Sequence, residues 1–257
     1  MPHGHQIQMS KTRVALKSAP SRARKRQAPP ARKQALSREV ILERALELCK
    51  NEPLQDISIV RIAREFGVTP GLVHYYLGGR DQLTSGVMNG FYRALLQNVS
   101  PVTGKWRADV EHLFRTIYKA YVRYAGIVAY LMSHNRFRLF QEVGPEEVDH
   151  GASFFERTAS CLRQARLDAR NTAMFAHLLL QHVLASGYQK SSRQLPGDHH
   201  DFLVSRMRRA DSQERPDSRF ILESFATLSG DAAFEAGLQL ILDGMERDIQ
   251  RNGSSRG

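Results

Sequence analysis

The sequence predicts an all-α protein, with a three-helix N-terminal domain built around a helix-turn-helix and a larger helical C-terminal domain. Three observations lead there. Apolar residues recur every three or four positions from Ser37 onward, the period of a helix with one buried face. No run alternates with the period of two that a half-buried strand requires. Two short periodic segments meet at Gly67-Val68, where glycine allows a left-handed backbone without steric cost.

Composition sets the limits. The chain has 257 residues, 42% of them hydrophobic, and a formal net charge of +11. Ten Lys or Arg and no acid fall in residues 1–38, leaving 27 basic against 26 acidic side chains in the rest. Residues 1–36 hold too few large apolar groups to offset their ordering entropy and read as a disordered basic tail. That tail is either a DNA-binding arm, whose cations would displace counterions from phosphates, or a solubilising extension; Met9 is also a candidate start. The longest apolar stretch, around Ile127–Met132, is far short of the ~20 residues that span a bilayer. No apolar block follows the basic N-terminus as in a signal peptide, so the expected compartment is the cytoplasm. Cys49 and Cys161 have no ligand or redox spacing and read as reduced core thiols.

The elements follow in order. Ser37 caps a first helix with Ile41, Leu42, Ala45, Leu46 and Cys49 on its apolar side, ending at Asn51–Pro53. Ser58 caps a second, short helix whose inner face is Ile59, Ile62, Ala63 and Phe66. Thr69 caps a third, with Pro70 at its first position, and Gly78-Gly79 breaks the chain before a fourth starts at Asp81. Glycine at 79 should weaken that start by a few tenths of a kcal/mol relative to a side-chain cap. Leu83, Val87, Phe91, Leu95 and Val99 form one stripe, and Trp106 to Tyr124 the next, with Gly126 marking a break. Helices are expected over about 145–166, beginning at Glu146-Glu147, then 169–189 and 231–250, while polar residues 191–217 read as a long loop with one short helix.

Two short helices joined through Gly67-Val68 make a helix-turn-helix, whose second helix can enter a major groove. Thr69, Gly71, Leu72, His74 and Tyr75 are small, apolar or hydrogen-bonding, as reading base edges requires. The spaced set Ile62-Ala63, Gly67-Val68-Thr69, Gly71, Tyr75-Tyr76, Leu77, Arg80-Asp81 and Leu83 resembles the signature of the TetR family of transcription regulators. The likeness covers about residues 37–85. It departs at His74, where the family usually has Tyr, and at Leu77, where it usually has Phe. The resemblance implies that Leu72, His74 and Tyr75 meet bases or sugars and that Tyr76 and Arg80 grip phosphates. Arg61, on the preceding helix, completes the expected DNA-binding set.

The domain boundaries expected are 37–82 for DNA reading and 83–257 for effector binding and dimerisation. Helix 169–189 is apolar almost all round, so it needs cover on two sides. The last helix carries Gly237 and Gly244 in its interior, each costing about 0.5–1 kcal/mol relative to alanine unless close packing uses it. Met174, Leu178, Gly237, Leu240 and Gly244 are therefore expected in a four-helix interface between two copies of the chain. The alternative is that both helices are core of a monomer. By the resemblance, an effector pocket lies between helices five and eight. Candidate lining is Trp106, Phe114, Tyr118, Tyr121, His177, Gln181 and His182, which suits an apolar or aromatic small molecule; a polar group on an apolar helix needs a partner.

No metal-ligand spacing, nucleophile elbow, P-loop or dinucleotide fingerprint occurs, so no enzyme activity, metal or cofactor is expected. The expected partners are a double-stranded operator, a second copy and a small-molecule effector, with no membrane. The leading expectation is a repressor released from its operator by effector. An architectural protein held to DNA by its basic arm is the competing one.

Overall fold

The computed structural model describes residues 35–134, 139–208 and 215–254. The basic tail, up to residue 34, lies outside the described residues, as do 135–138 and 209–214. Among the described residues there is no strand, and no helix is long and apolar enough to cross a membrane. The helices are α1 (Arg38–Leu48), α2 (Ile59–Phe66), α3 (Pro70–Leu77), α4 (Arg80–Leu96), α5 (Trp106–Arg123), α6 (Ala125–Ser133), α7 (His150–Arg163), α8 (Ala169–Ser191), α9 (His200–Arg208), α10 (Pro216–Ala226) and α11 (Gly230–Ser254). Short 3₁₀ turns at Leu54–Asp56 and Pro196–His199 join α1 to α2 and α8 to α9.

Caps read from sequence are present as side-chain bonds. Ser37 accepts from the Val40 N–H, Ser58 from Arg61 and Thr69 from Leu72; Asp168, not among the expected caps, accepts from Asn171. Each satisfies one of the otherwise orphaned N–H groups of a helix start. Gly79, lacking a side chain, receives help from the other direction, because Gln82 Oε1 accepts its N–H at 2.9 Å.

Three expected boundaries shift. The break between α5 and α6 is at Tyr124 (φ −111°, ψ 64°), not at Gly126, which lies inside α6. Gly126 is where the body meets the end of α1: its N–H donates to the Cys49 carbonyl at 2.7 Å. A Cβ there would lie 1.8 Å from the Glu52 carbonyl oxygen, and backbone cannot yield as a side-chain tip can. Helix α7 begins at His150, capped by Asp149, so Glu146 and Glu147 precede it. Glu147 pairs instead with Arg38 at the start of α1, a more specific role than complementing a helix dipole. The stretch 191–217 holds the one short helix expected there, α9, but its end already belongs to α10, which begins at Pro216. Phe220, Ile221 and Phe225 of α10 are exposed, so that helix has no buried stripe to announce it.

The core is continuous from α1 to α11. Phe91 of α4 is fully buried, stacks on Tyr121 at 5.9 Å and meets Tyr124 edge-on at 5.7 Å. Val110, Leu113, Phe114 and Ile117 of α5 join Leu179 and Val183 of α8 and Leu238 and Leu242 of α11, all with no exposed surface. Each such side chain contributes about 1.5–3 kcal/mol by leaving water. Cys49 and Cys161 are buried free thiols. Burial pushes the Cys49 thiol up to about 12, which keeps it protonated and unreactive.

Candidate functional site

The two helices of the turn are fixed by local chemistry. Gly67 closes α2 in the left-handed region (φ 65°, ψ 36°), and the Val68 N–H returns to the Ala63 carbonyl at 3.0 Å, the wrap of a Schellman motif. Val73 and Leu77 seat α3 on the core, with 0% and 4% of their surface exposed. The opposite face of α3 stands in solvent. Tyr75 is 81% exposed and Leu72 39%, and Thr69, Gly71 and His74 are exposed beside them. A large aromatic so fully solvated is uncommon, and here it sits on the helix that the sequence marks for a groove. A Cβ on Gly71 would meet nothing within 4 Å, so its smallness serves no contact inside the chain.

The flanking residues are engaged differently. Tyr76 is half-buried and holds the Tyr75 ring edge-on at 5.5 Å. Arg80 is the first residue of α4, one position before the expected start at Asp81. Its guanidinium donates to the carbonyls of Ile57 (2.8 Å), Leu54 (3.1 Å) and Gln55 (2.6 Å), pinning α4 to the loop before α2. Arg61 is ion-paired to Glu65 and, at 3.0 Å, to Glu52, and Arg44 reaches the same Glu65. Arg44 and Arg61 thus tie α2 to α1 and the loop after it, and Arg80 ties α4 to the loop before α2. Arg64 and Val60 are also exposed, on α2, and belong to no motif that would mark them in the sequence.

On the body, α8 and α11 lie side by side. Met174, His177, Leu178 and Gln181 of α8 are exposed in one stripe, and Leu240 of α11 is 69% exposed. The two glycines of α11 face inward to α8. A Cβ on Gly237 would come within 2.3 Å of the His182 ring, and one on Gly244 within 3.6 Å of Phe175. Close packing is indeed why Gly237 is small, but the neighbour it accommodates is in its own chain.

The residues expected to line an effector pocket divide. Phe114, Tyr118 and Tyr121 are buried together in the core. Tyr118 stacks on Phe234 at 4.0 Å and donates to Asp231 at 2.7 Å; burial and that carboxylate push its phenol up. His182 bonds the Phe234 carbonyl at 2.8 Å and stacks on the same ring. Trp106, half-buried, opens α5. His177 and Gln181 are not brought to this group: they stand outside, with Met174 and Leu178. Polar side chains on α8 thus point outward or find a backbone acceptor. A separate apolar groove of about 360 Å³ runs between α7 and α8, lined by Phe155, Leu162, Leu167, Ala173 and Ala176. No group of three or more His, Cys, Asp or Glu able to hold a metal occurs among the described residues.

A free-standing reading helix behind a glycine turn, carried on a larger helical body, defines the class of helix-turn-helix regulators. A family model described as "Tetracyclin repressor-like, C-terminal domain" matches residues 100–249, more than half of the chain, and the chain belongs to the TetR family of transcription regulators. The HTH-type transcriptional regulator BetI of Brucella anthropi is 29% identical over 80 residues, which are 31% of this chain and 41% of that one. BetI of Chromohalobacter salexigens is 30% identical over 76 residues, 30% of this chain and 36% of that one. The chain therefore spans less than half the length of these curated relatives. The fold of ActR from Streptomyces coelicolor matches with a TM-score of 0.68 at 23% identity, covering 85% of this chain and 99% of that one. Its complex with actinorhodin matches at 0.67 and 24%, covering 84% and 99%.

Proposed function

We propose that this chain is a dimeric regulator that reads a DNA operator through residues 37–82 and is released from it by a small molecule bound in residues 83–257. The observation that carries the reading is the α3 face, where Leu72, His74 and Tyr75 stand exposed on a capped helix whose other face is seated in the core. A helix so placed fits the major groove, whose base edges offer donors, acceptors and methyl groups to such side chains. One reading head of this size contacts few base pairs. Two, related by a two-fold axis and about 34–36 Å apart, would read successive grooves, and the exposed Met174, Leu178 and Leu240 supply an apolar face on which two copies can meet. The effector reading draws support from ActR, solved with actinorhodin bound, and from the apolar groove between α7 and α8, whose lining suits an apolar or aromatic molecule. In this reading effector and DNA favour different spacings of the two heads, and linkage then makes each weaken the other by the same factor. The protein acts on DNA in the cytoplasm and turns over no substrate.

The test is fluorescence anisotropy of labelled DNA from upstream of the protein's own gene, near physiological salt with excess competitor duplex. Expected is a competitor-resistant complex of two chains on a two-fold symmetric site, retained when residues 1–36 are removed. Binding that disappears with the tail would overturn the reading in favour of sequence-indifferent attachment through the tail's charge.

A further inference from the structure

A second cleft, of about 320 Å³, lies between α4 and α5, away from the apolar groove of α7 and α8. Its chemistry differs. With 3.6 residues per turn, His112, Thr116, Lys119 and Arg123 fall on a single stripe of α5. Ala94 and Asn98 of α4 form the facing wall, with Phe91 and Leu95 buried behind it, and Ala120 and Tyr124 complete the floor. The lining holds two permanent cations and an imidazole but no carboxylate.

That imbalance is peculiar to this side of α5. The cations facing α11 are all neutralised: Arg107 bonds Asp243 at 2.6 Å and Glu246 at 3.0 Å, and Arg115 bonds Glu111 at 2.9 Å and Glu235. Lys119 and Arg123 have no ion pair among the described residues, and Arg123 is held with its guanidinium carbon 5.5 Å over the Tyr124 ring. His112 accepts the Ser100 N–H through Nε2 at 3.3 Å. A concave wall with unneutralised charge attracts an anion, and an ammonium and a guanidinium can both donate charge-assisted bonds to one carboxylate. The apolar floor asks for a flat hydrocarbon body, and the volume, at the small end of ligand sites at roughly 300–1,000 Å³, limits it to one or two rings.

We propose that the cleft between α4 and α5 binds a small aromatic carboxylate, its carboxyl group between Lys119 and Arg123 and its rings against Ala94, Ala120 and Tyr124. Because α4 follows the reading helix directly, an occupant here ties that helix to α5. This last consequence alone rests on the proposed DNA reading.

Calorimetric titration of the full chain with 2-naphthoate at about 0.15 M salt tests the site. Expected is saturable one-to-one binding that the double variant Lys119→Gln/Arg123→Gln weakens at least tenfold, with Lys119→Arg retaining affinity. Ala173→Trp, which fills the α7–α8 groove, should leave it unchanged. Neutral 2-naphthalenemethanol should bind at least tenfold more weakly, and equimolar inorganic phosphate should not displace the naphthoate. Equal affinity in the double variant, loss in Ala173→Trp, displacement by phosphate or no saturation in the wild type would each overturn the assignment. No readout uses DNA, so failure here leaves the operator reading standing.

Discussion

Replacing Arg80 separates two roles for one side chain. The resemblance assigns it a phosphate, whereas its guanidinium already donates to three carbonyls of residues 54–57. Hydrogen bonds to a charged group contribute about 1.5–3 kcal/mol each, but three sharing one partly exposed guanidinium are not additive. Arg80→Ala should therefore lose about 2–4 kcal/mol, a fall in Tm of roughly 5–15 °C at about 2–4 °C per kcal/mol for a chain of this size. Arg80→Lys is the sharper variant. An ammonium keeps the charge and serves a phosphate as a point charge, but it lacks the planar fork that spans several acceptors. As a clamp, Arg80→Lys should still lose about 1–2 kcal/mol. Urea unfolding measures the stability, and anisotropy at several salt concentrations measures the slope of log K against log salt. One lost phosphate contact lowers that slope by about 0.9. Wild-type stability in Arg80→Lys, together with a slope reduced by about one in Arg80→Ala, would refute the clamp.

Tyr75→Ala should leave the unfolding midpoint unchanged, since the ring is 81% exposed, while operator affinity falls by about 1–3 kcal/mol, the range for a base contact. Leu240→Arg should shift sedimentation toward a single chain, because it places a charge in the middle of the exposed α8–α11 face; an unaltered profile would remove α11 from the interface. Gly237→Ala acts inside one chain, where its methyl would displace the His182 ring from Phe234; overpacking of this kind costs about 1–3 kcal/mol, readable as a lower urea midpoint. Acid stability has a defined part in Arg115: its bond to Glu235, against the opposing effect of partial burial, holds that carboxyl at about 2 instead of 4.5. A depressed carboxylate stabilises the fold above its unfolded value and loses that contribution as pH falls from about 4.5 to 2. Solvent screening at this exposed pair leaves about 1 kcal/mol, and Arg115→Gln should flatten unfolding free energy against pH across that window.

Local chemistry was legible in the sequence and long-range contact was not. Ser37, Ser58, Thr69 and Gly67 act within four residues of themselves, so their caps and turn could be placed without knowing the fold. Gly126 has the opposite character. Its smallness answers a carbonyl of Glu52, more than seventy positions away, and nothing near it in the chain shows that. The same holds for Gly237, whose place in a helix announces close packing but not that the neighbour is His182. Polar groups on an apolar helix need partners, which points His177 and Gln181 inward; α8 meets that need by turning them to solvent. Arg80 shows the limit of motif reasoning, since a basic residue at that spacing looks the same whether it faces a phosphate or the carbonyls behind it.

The contacts of α4 show what coupling between the two ends of the molecule would require. At its start Arg80 holds residues 54–57, so the loop before α2 moves with it. In its middle Asn89 donates to the Val148 carbonyl at 3.0 Å and accepts from the His150 N–H at 2.8 Å, fastening it to the start of α7. On its inner side Phe91 is locked between Tyr121 and Tyr124 of the body. A packed aromatic contact has discrete arrangements and does not stretch. A ligand that relocates the reading helix must therefore favour a second packing of Phe91 and a second partner for Asn89, and it can shift the balance only by its difference in affinity between the two. Asn89→Ala removes the polar fastening while leaving the apolar packing, so it should lower the barrier between these states without creating either.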